Sequence, residues 1–115
     1  MYDRPPIMRQ IDAIRREAPQ GALLAVEMGD FFYFFNDDAT KAAPIIGREI
    51  HRRGTSTLMC GVNRNAIEEK VEALLDGGLI VCIVKQMEPV NPRRRGGVMR
   101  REITKTYRHQ LKEEV

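Results

Sequence analysis

The stretch Val26-Glu27-Met28-Gly29-Asp30-Phe31-Phe32-Tyr33-Phe34-Phe35-Asn36-Asp37-Asp38 decides how the rest of this chain is read. All four phenylalanines lie in it, within five consecutive positions, with one of the three tyrosines between them. Gly29-Asp30 reads as a tight turn, because Gly reaches positive φ freely and Asp can bond its own backbone. The apolar run Leu23 to Met28 before the turn and the aromatic run Phe31 to Phe35 after it then make a hairpin. Side chains alternate along a strand, so Phe31, Tyr33 and Phe35 share one face and Phe32 and Phe34 the other. One aromatic face can serve a core; two on so short a strand leave one as a candidate functional surface.

Working upstream, Pro5 and Pro6 open a helix at positions where a missing N–H costs nothing. Ile7, Ile11 and Ile14, with Met8 beside them, give it one apolar stripe, and Pro19 and Gly21 end it. Downstream, Asp37 and Asp38 suit the first turn of a second helix carrying Ala39, Ala42, Ala43 and Ile46. Pro44 should kink or shorten that helix. Arg48 to Arg53 reads as a short strand, Gly54-Thr55-Ser56 as a turn and Leu58 to Val62 as another strand. Asn65, with Glu68 three residues on, reads as a cap for a third helix with the stripe Ile67, Val71, Leu74 and Leu75, stopped by Gly77-Gly78. Leu79 to Val84 has no polar alternation, as in a central strand covered on both faces, and runs on through Lys85, Gln86 and Met87 to the sheet edge. Residues 88–97 form a basic loop, Val98 to Thr106 a basic strand and residues 107–115 a charged tail. The order αββαββαββ over a single domain, 1–115, predicts an α/β (α+β) fold: a mixed β-sheet of about six strands packed with three α-helices.

Composition narrows the function. With 43% hydrophobic and 30% charged residues, the chain has the makeup of a globular domain, which excludes wholesale disorder. No apolar run approaches the roughly 20 residues of a membrane-spanning helix, and the N-terminus lacks the apolar segment of a signal peptide, so cytoplasmic residence is expected. Cys60 and Cys82 sit in apolar runs and read as reduced, buried thiols. With His51 and His109 as the only histidines, they fall short of a zinc set, so neither metal nor other cofactor is expected. The chain has no glycine-rich phosphate loop ending in Lys-Ser/Thr, no Gly-x-Ser-x-Gly elbow and no His-Glu-x-x-His helix, which argues against an enzyme. Asp30, Asp37 and Asp38 could be metal ligands of a small nuclease; their plain reading is one turn residue and two helix-start residues.

The net charge of +3 is unevenly spread: residues 1–87 carry 11 Lys/Arg against 12 Asp/Glu, whereas residues 88–115 carry 8 against 4. A local basic excess points to an anionic partner there. Arg93, Arg94, Arg95, Arg100, Arg101 and Lys105 could contact nucleic-acid phosphates, and Arg52 and Arg53 could widen that footprint. Beside such a surface, an exposed Phe can enter the minor groove and unstack a base step.

These residues carry a family resemblance. Met28-Gly29-Asp30-Phe31-Phe32-Tyr33-Phe34-Phe35-Asn36-Asp37-Asp38-Ala39 resembles the signature Met-Gly-Asp-Phe-Tyr-Glu-Leu-Phe-Tyr-Asp-Asp-Ala of the N-terminal mismatch-recognition domain (domain I) of the DNA mismatch repair protein MutS. Further on, His51-Arg52-Arg53-Gly54 is similar to Thr-Lys-Arg-Gly and Met59-Cys60-Gly61-Val62 to Met-Ala-Gly-Ile. Ala66 to Gly78 is similar to the following helix, Val84-Lys85-Gln86-Met87-Glu88-Pro89 to Cys-Glu-Gln-Ile-Gly-Asp-Pro, and Gly96 to Ile103 to the basic strand. The likeness covers Pro6 to Lys105.

The resemblance implies binding to mismatched or distorted double-stranded DNA. Phe31 would be the wedge, Tyr33 would stand at the base-reading position, Met28 and Arg53 would approach the DNA, and Arg100 and Arg101 would lie near its backbone. Phe32 and Phe34 would point into the core. The family's reading residue is a glutamate; a phenol can stack and hydrogen-bond but brings no carboxylate, so weaker mispair discrimination is expected. The loop from Gly54 to Met59 is shorter than the family's, and Asn63-Arg64-Asn65-Ala66 stands in place of Pro-Tyr-His-Ala. The family's connector, lever, clamp and ATPase domains have no counterpart in these residues, so a separate ATPase or clamp protein is an expected partner. The alternative is a protein-interaction module or homodimer that keeps the fold and uses Phe31, Tyr33 and Phe35 as an apolar patch.

Overall fold

The computed structural model describes residues 5–87 and 99–109. Its elements follow the expected order: α1 (Pro6–Arg15), β1 (Leu23–Met28), β2 (Phe31–Phe35), α2 (Asp37–Ile46), β3 (His51–Arg53), β4 (Thr57–Asn63), a 3₁₀ turn (Arg64–Ala66), α3 (Ile67–Asp76), β5 (Val81–Gln86) and β6 (Arg101–Tyr107). The six strands form one mixed sheet in the order β3-β4-β2-β1-β5-β6. Only β1 and β5 are parallel neighbours; every other pair is antiparallel.

Helices cover both faces of this sheet, and so there are two cores. On one face Leu23, Ala25, Phe32 and Phe34 pack beneath α2 and α3, against Ala39, Ala42, Ile46, Val71 and Leu74. On the other, Leu24, Val26, Phe35, Cys82 and Val84 pack beneath Met8, Ile11 and Ile14 of α1. The central strands β1 and β5 are therefore buried on both sides, which is why their sequences lack polar alternation. Phe32 and Phe34 are core residues, as expected. Phe35 is core as well: it is 5% exposed beneath α1, so a surface patch combining it with Phe31 and Tyr33 is ruled out.

Several local readings change. Helix α2 runs through Pro44 to Ile46 and closes on Gly47, whose φ of 69° lets the Arg48 N–H reach the Ala43 carbonyl. Pro44 and Thr40 both face solvent, so the carbonyl deprived of its helical donor can be hydrated instead. The entry to α3 is organised by Asn63, not Asn65: Asn63 Oδ1 accepts from the Asn65 N–H and starts the 3₁₀ turn that leads into the helix. Strand β6 reaches Tyr107, one residue into the expected tail. A β-bulge between the Ile83↔Lys105 and Val84↔Ile103 pairs absorbs Thr104. That extra residue lets Ile103 pack on the α1 side and Tyr107 on the opposite side, against the α2–α3 core. Residues 88–98 and 110–115, which include the expected loop at 88–97 and most of the tail, lie outside the described residues.

Candidate nucleic-acid interface

The hairpin tip is built for a fixed aromatic. Met28 and Phe31 face each other across the β1–β2 ladder, leaving Gly29 and Asp30 as a two-residue loop. Gly29 has φ 63°, the positive value that hairpin loops of this length take at their first position. Side chains from the sequence-distant Gln86 and Arg64 then clamp the loop. Gly29 donates its N–H to Gln86 Oε1 at 3.3 Å, and its carbonyl accepts from Arg64 Nη2 at 2.7 Å. The Arg64 N–H donates to the Asp30 carbonyl at 2.9 Å.

Behind the clamp lies a buried polar network. Glu27 Oε1 accepts from the Gln86 N–H at 2.8 Å, and Oε2 pairs with Arg64 Nη2 at 3.1 Å. Arg101 donates Nε to the Glu27 carbonyl at 2.8 Å, Nη2 to Gln86 Oε1 at 3.3 Å and Nη1 to Gln10 Oε1 at 3.1 Å. Burial pushes the Arg101 guanidinium below its ordinary pKa, and the Glu27 carboxylate opposes that shift. Strands β1, β5 and β6, helix α1 and the 3₁₀ turn are thus tied together at the base of the hairpin. Buried groups with their partners present cost little; removing one leaves the others unsatisfied.

On the α1 side of β2 the three rings form a graded series. Phe35 lies under the helix, Tyr33 is half-buried and Phe31, past the reach of α1, is 41% exposed. Ring centroids are 5.9 Å apart for Phe31–Tyr33 and 6.2 Å for Tyr33–Phe35, tilted by 35° and 42°. These are the spacings at which aromatic pairs attract beyond simple burial. Phe31 therefore stands at the tip on a ladder of rings rooted in the core.

The other expected interface residues divide. Met28 is half-buried on this face, and Arg53, exposed at the end of β3, joins it with Ile7, Met8 and Phe35 around a cleft of 310 Å³. Arg100 is exposed, with Nε 3.8 Å from Glu102 Oε2. Arg101 is a correction: it is 9% exposed, and its guanidinium serves the internal network instead of facing outward to a DNA backbone. It is drawn inward because Glu27, Gln86 and Gln10 supply acceptors there. Arg93, Arg94 and Arg95 lie outside the described residues. Asp38 is buried, and its Oδ2 accepts from Arg15 Nη2 at 2.6 Å and from the Leu24 N–H at 3.0 Å. Among the described residues no group of three or more His, Cys, Asp or Glu could hold a metal ion.

Sequence reasoning missed the clamp. Glu27 is the one charged residue in the apolar run Leu23–Met28, and that anomaly was a usable signal for a buried polar site. Arg64 and Gln86 offered none, because their role depends on strands brought together from far apart in the chain.

Residues 5–109 of the chain match the family model of MutS domain I. The chain belongs to this family. It is 42% identical over 102 residues to the DNA mismatch repair protein MutS of Paracoccus denitrificans, covering 84% of this chain and 12% of that protein. It is 35% identical over 104 residues to the DNA mismatch repair protein MutS of Desulforapulum autotrophicum, covering 87% of this chain and 11% of that protein. The chain thus spans a small part of the length of these relatives.

Proposed function

We propose that this domain is a DNA-binding module of mismatch repair that recognises mismatched or otherwise easily distorted duplex DNA by inserting Phe31 at a base step. The observation that carries the reading is Phe31 itself: a large apolar side chain left exposed at a turn that Arg64 and Gln86 hold rigid. A rigid wedge avoids the ordering cost of a mobile one, so more of the stacking free energy is available to offset unstacking of the DNA. Tyr33, beside it, adds ring surface and a hydroxyl, without the carboxylate that would favour particular mispairs. Met28 flanks the wedge, and Arg53 on the same face, Arg100 and the Arg93–Arg95 cluster supply phosphate contacts that set affinity without reading sequence. ATP-dependent steps fall to other domains or to a separate ATPase or clamp protein.

Binding of labelled heteroduplex and homoduplex, followed by fluorescence anisotropy at fixed salt, tests this. Phe31→Ala is expected to weaken heteroduplex binding by about 1–3 kcal/mol, the value of one base stack. Equal binding by the variant and the parent protein would sink the wedge. A salt-resistant homodimer that ignores DNA would favour the protein-interaction reading instead.

A further inference from the structure

Tyr33 does not simply project from β2. It lies directly opposite Gly61 in the β2–β4 ladder, and a Cβ on Gly61 would stand only 2.7 Å from Tyr33 Cε1 and 3.1 Å from Cδ1. The ring is therefore laid across the Gly61 backbone, in space that any side chain would occupy. It can spread there because β3 pairs with β4 only from Thr57 to Met59, so among the described residues no strand flanks β4 on that side at Gly61. Gly61 is absent from the residues with positive φ, so its backbone conformation would accept a side chain. Space for the ring is what demands glycine. An aromatic covering a cross-strand glycine also shields the open backbone edge that the glycine leaves.

We infer that Gly61 is a positioning residue for the DNA-facing surface. It is the seat in which the Tyr33 ring rests, and through the tilted Tyr33–Phe31 pair it sets where the wedge stands. The inference rests on the DNA-binding reading above and adds the selectivity that follows from it. Seated against β4, the Tyr33 ring extends the Phe31 wedge into a surface of two tilted rings. Such a surface favours steps that open easily, whatever the bases, over a particular mispair. Phe35, buried at the far end of the ladder, stops the Tyr33 ring from retreating along the strand. If a methyl group occupied the seat, the ring could leave only toward solvent, and its packing against Phe31 would go with it.

Gly61→Ala, Tyr33→Ala and the double variant test this in the intact chain, with thermal unfolding as a control for folding. In the free protein the Tyr33 ring current should displace the Gly61 Hα resonance, and Tyr33→Ala should abolish that displacement. In anisotropy titrations, Gly61→Ala alone should weaken heteroduplex binding by about fivefold or more, the lower end of what one base stack is worth. In the Tyr33→Ala background the same Gly61→Ala change should alter binding by less than about twofold, as for uncoupled positions. Equal losses in both backgrounds, or no loss in either, would overturn the positioning role, because neither outcome passes through the ring. A Gly61 Hα resonance indifferent to Tyr33→Ala removes the seat itself, whatever the DNA result. A normal ring-current displacement in a parent protein that fails to bind heteroduplex overturns the DNA reading, and with it Gly61's part in binding, while leaving the Tyr33–Gly61 packing in place.

Discussion

Phe31 and Phe35 stand on the same face of the same strand, four residues apart, and differ only in what lies above them. Phe35 is covered by Met8 and Ile11 of α1 and belongs to a core. Phe31 lies beyond the end of that cover and is the most exposed ring of the hairpin. The strand treats them identically; the helix does not. The proposed binding surface is a core face left uncovered at one end, with Tyr33 as the half-buried link between the two regimes.

The largest effect that could break this comparison is on stability. Phe35→Ala should cost about 3–5 kcal/mol in urea unfolding, as for a large ring removed from a packed core. Phe31→Ala should stay within about 0.5–1 kcal/mol of the parent protein, since surface changes of this kind move stability little. Comparable losses in the two variants would mean that α1 does not divide the strand as described.

Two arginines sharpen the same contrast between inward and outward roles. Arg101→Ala strips donors from the buried Glu27 carbonyl and from the half-buried Gln86 Oε1 and Gln10 Oε1, and should destabilise the domain by about 1–3 kcal/mol, chiefly through the carbonyl. Its effect on the salt dependence of DNA binding should be negligible. Arg53→Ala should leave unfolding almost unchanged and reduce the slope of log K against log salt by about 1, as expected when one phosphate is no longer neutralised. A reversed pattern, with the slope moving for Arg101→Ala, would return that residue to the DNA surface.

The smallest effect concerns the core under α2 and α3. Burial raises the Cys60 thiol from its ordinary 9.0 to about 11. The folded state then holds a proton that the unfolded chain gives up first. Stability from this group is complete below pH 9.0, falls as pH rises and is lost by about pH 11. Urea midpoints measured between these limits should decline less in Cys60→Ala than in the parent protein, after its lower baseline is subtracted. The native thiol should also resist alkylation at about pH 8, because the thiolate is the reactive form.

Much of the fold was legible in the chain. Alternation around Gly29-Asp30 put Phe32 and Phe34 on one face, which the family resemblance assigned to the core, helical spacing found the stripes of α1 and α3, and unbroken apolar runs marked the central strands. The exposed end of the candidate site was legible too, because Phe31 follows a turn that the residue types specify. Other features were hidden because they depend on pairing. Arg101 looked like its basic neighbours until β6 docked beside β5 and brought it to Glu27 and Gln86. Phe35 looked like Phe31 until α1 covered it. Asn63 took the capping role because the chain enters α3 through a 3₁₀ turn, a choice made by the path out of β4.

By itself the sequence determined which residues form strands and helices, where the hairpin turns and which aromatic follows the turn, since these rest on backbone preferences and short-range periodicity. Only the tertiary structure decided that the tip is clamped by Arg64 and Gln86, that one arginine of the basic strand faces inward, and that the Tyr33 ring rests on Gly61. Each of those depends on atoms from separate strands meeting in space, where packing and the need to satisfy buried polar groups overrule what a residue type suggests alone.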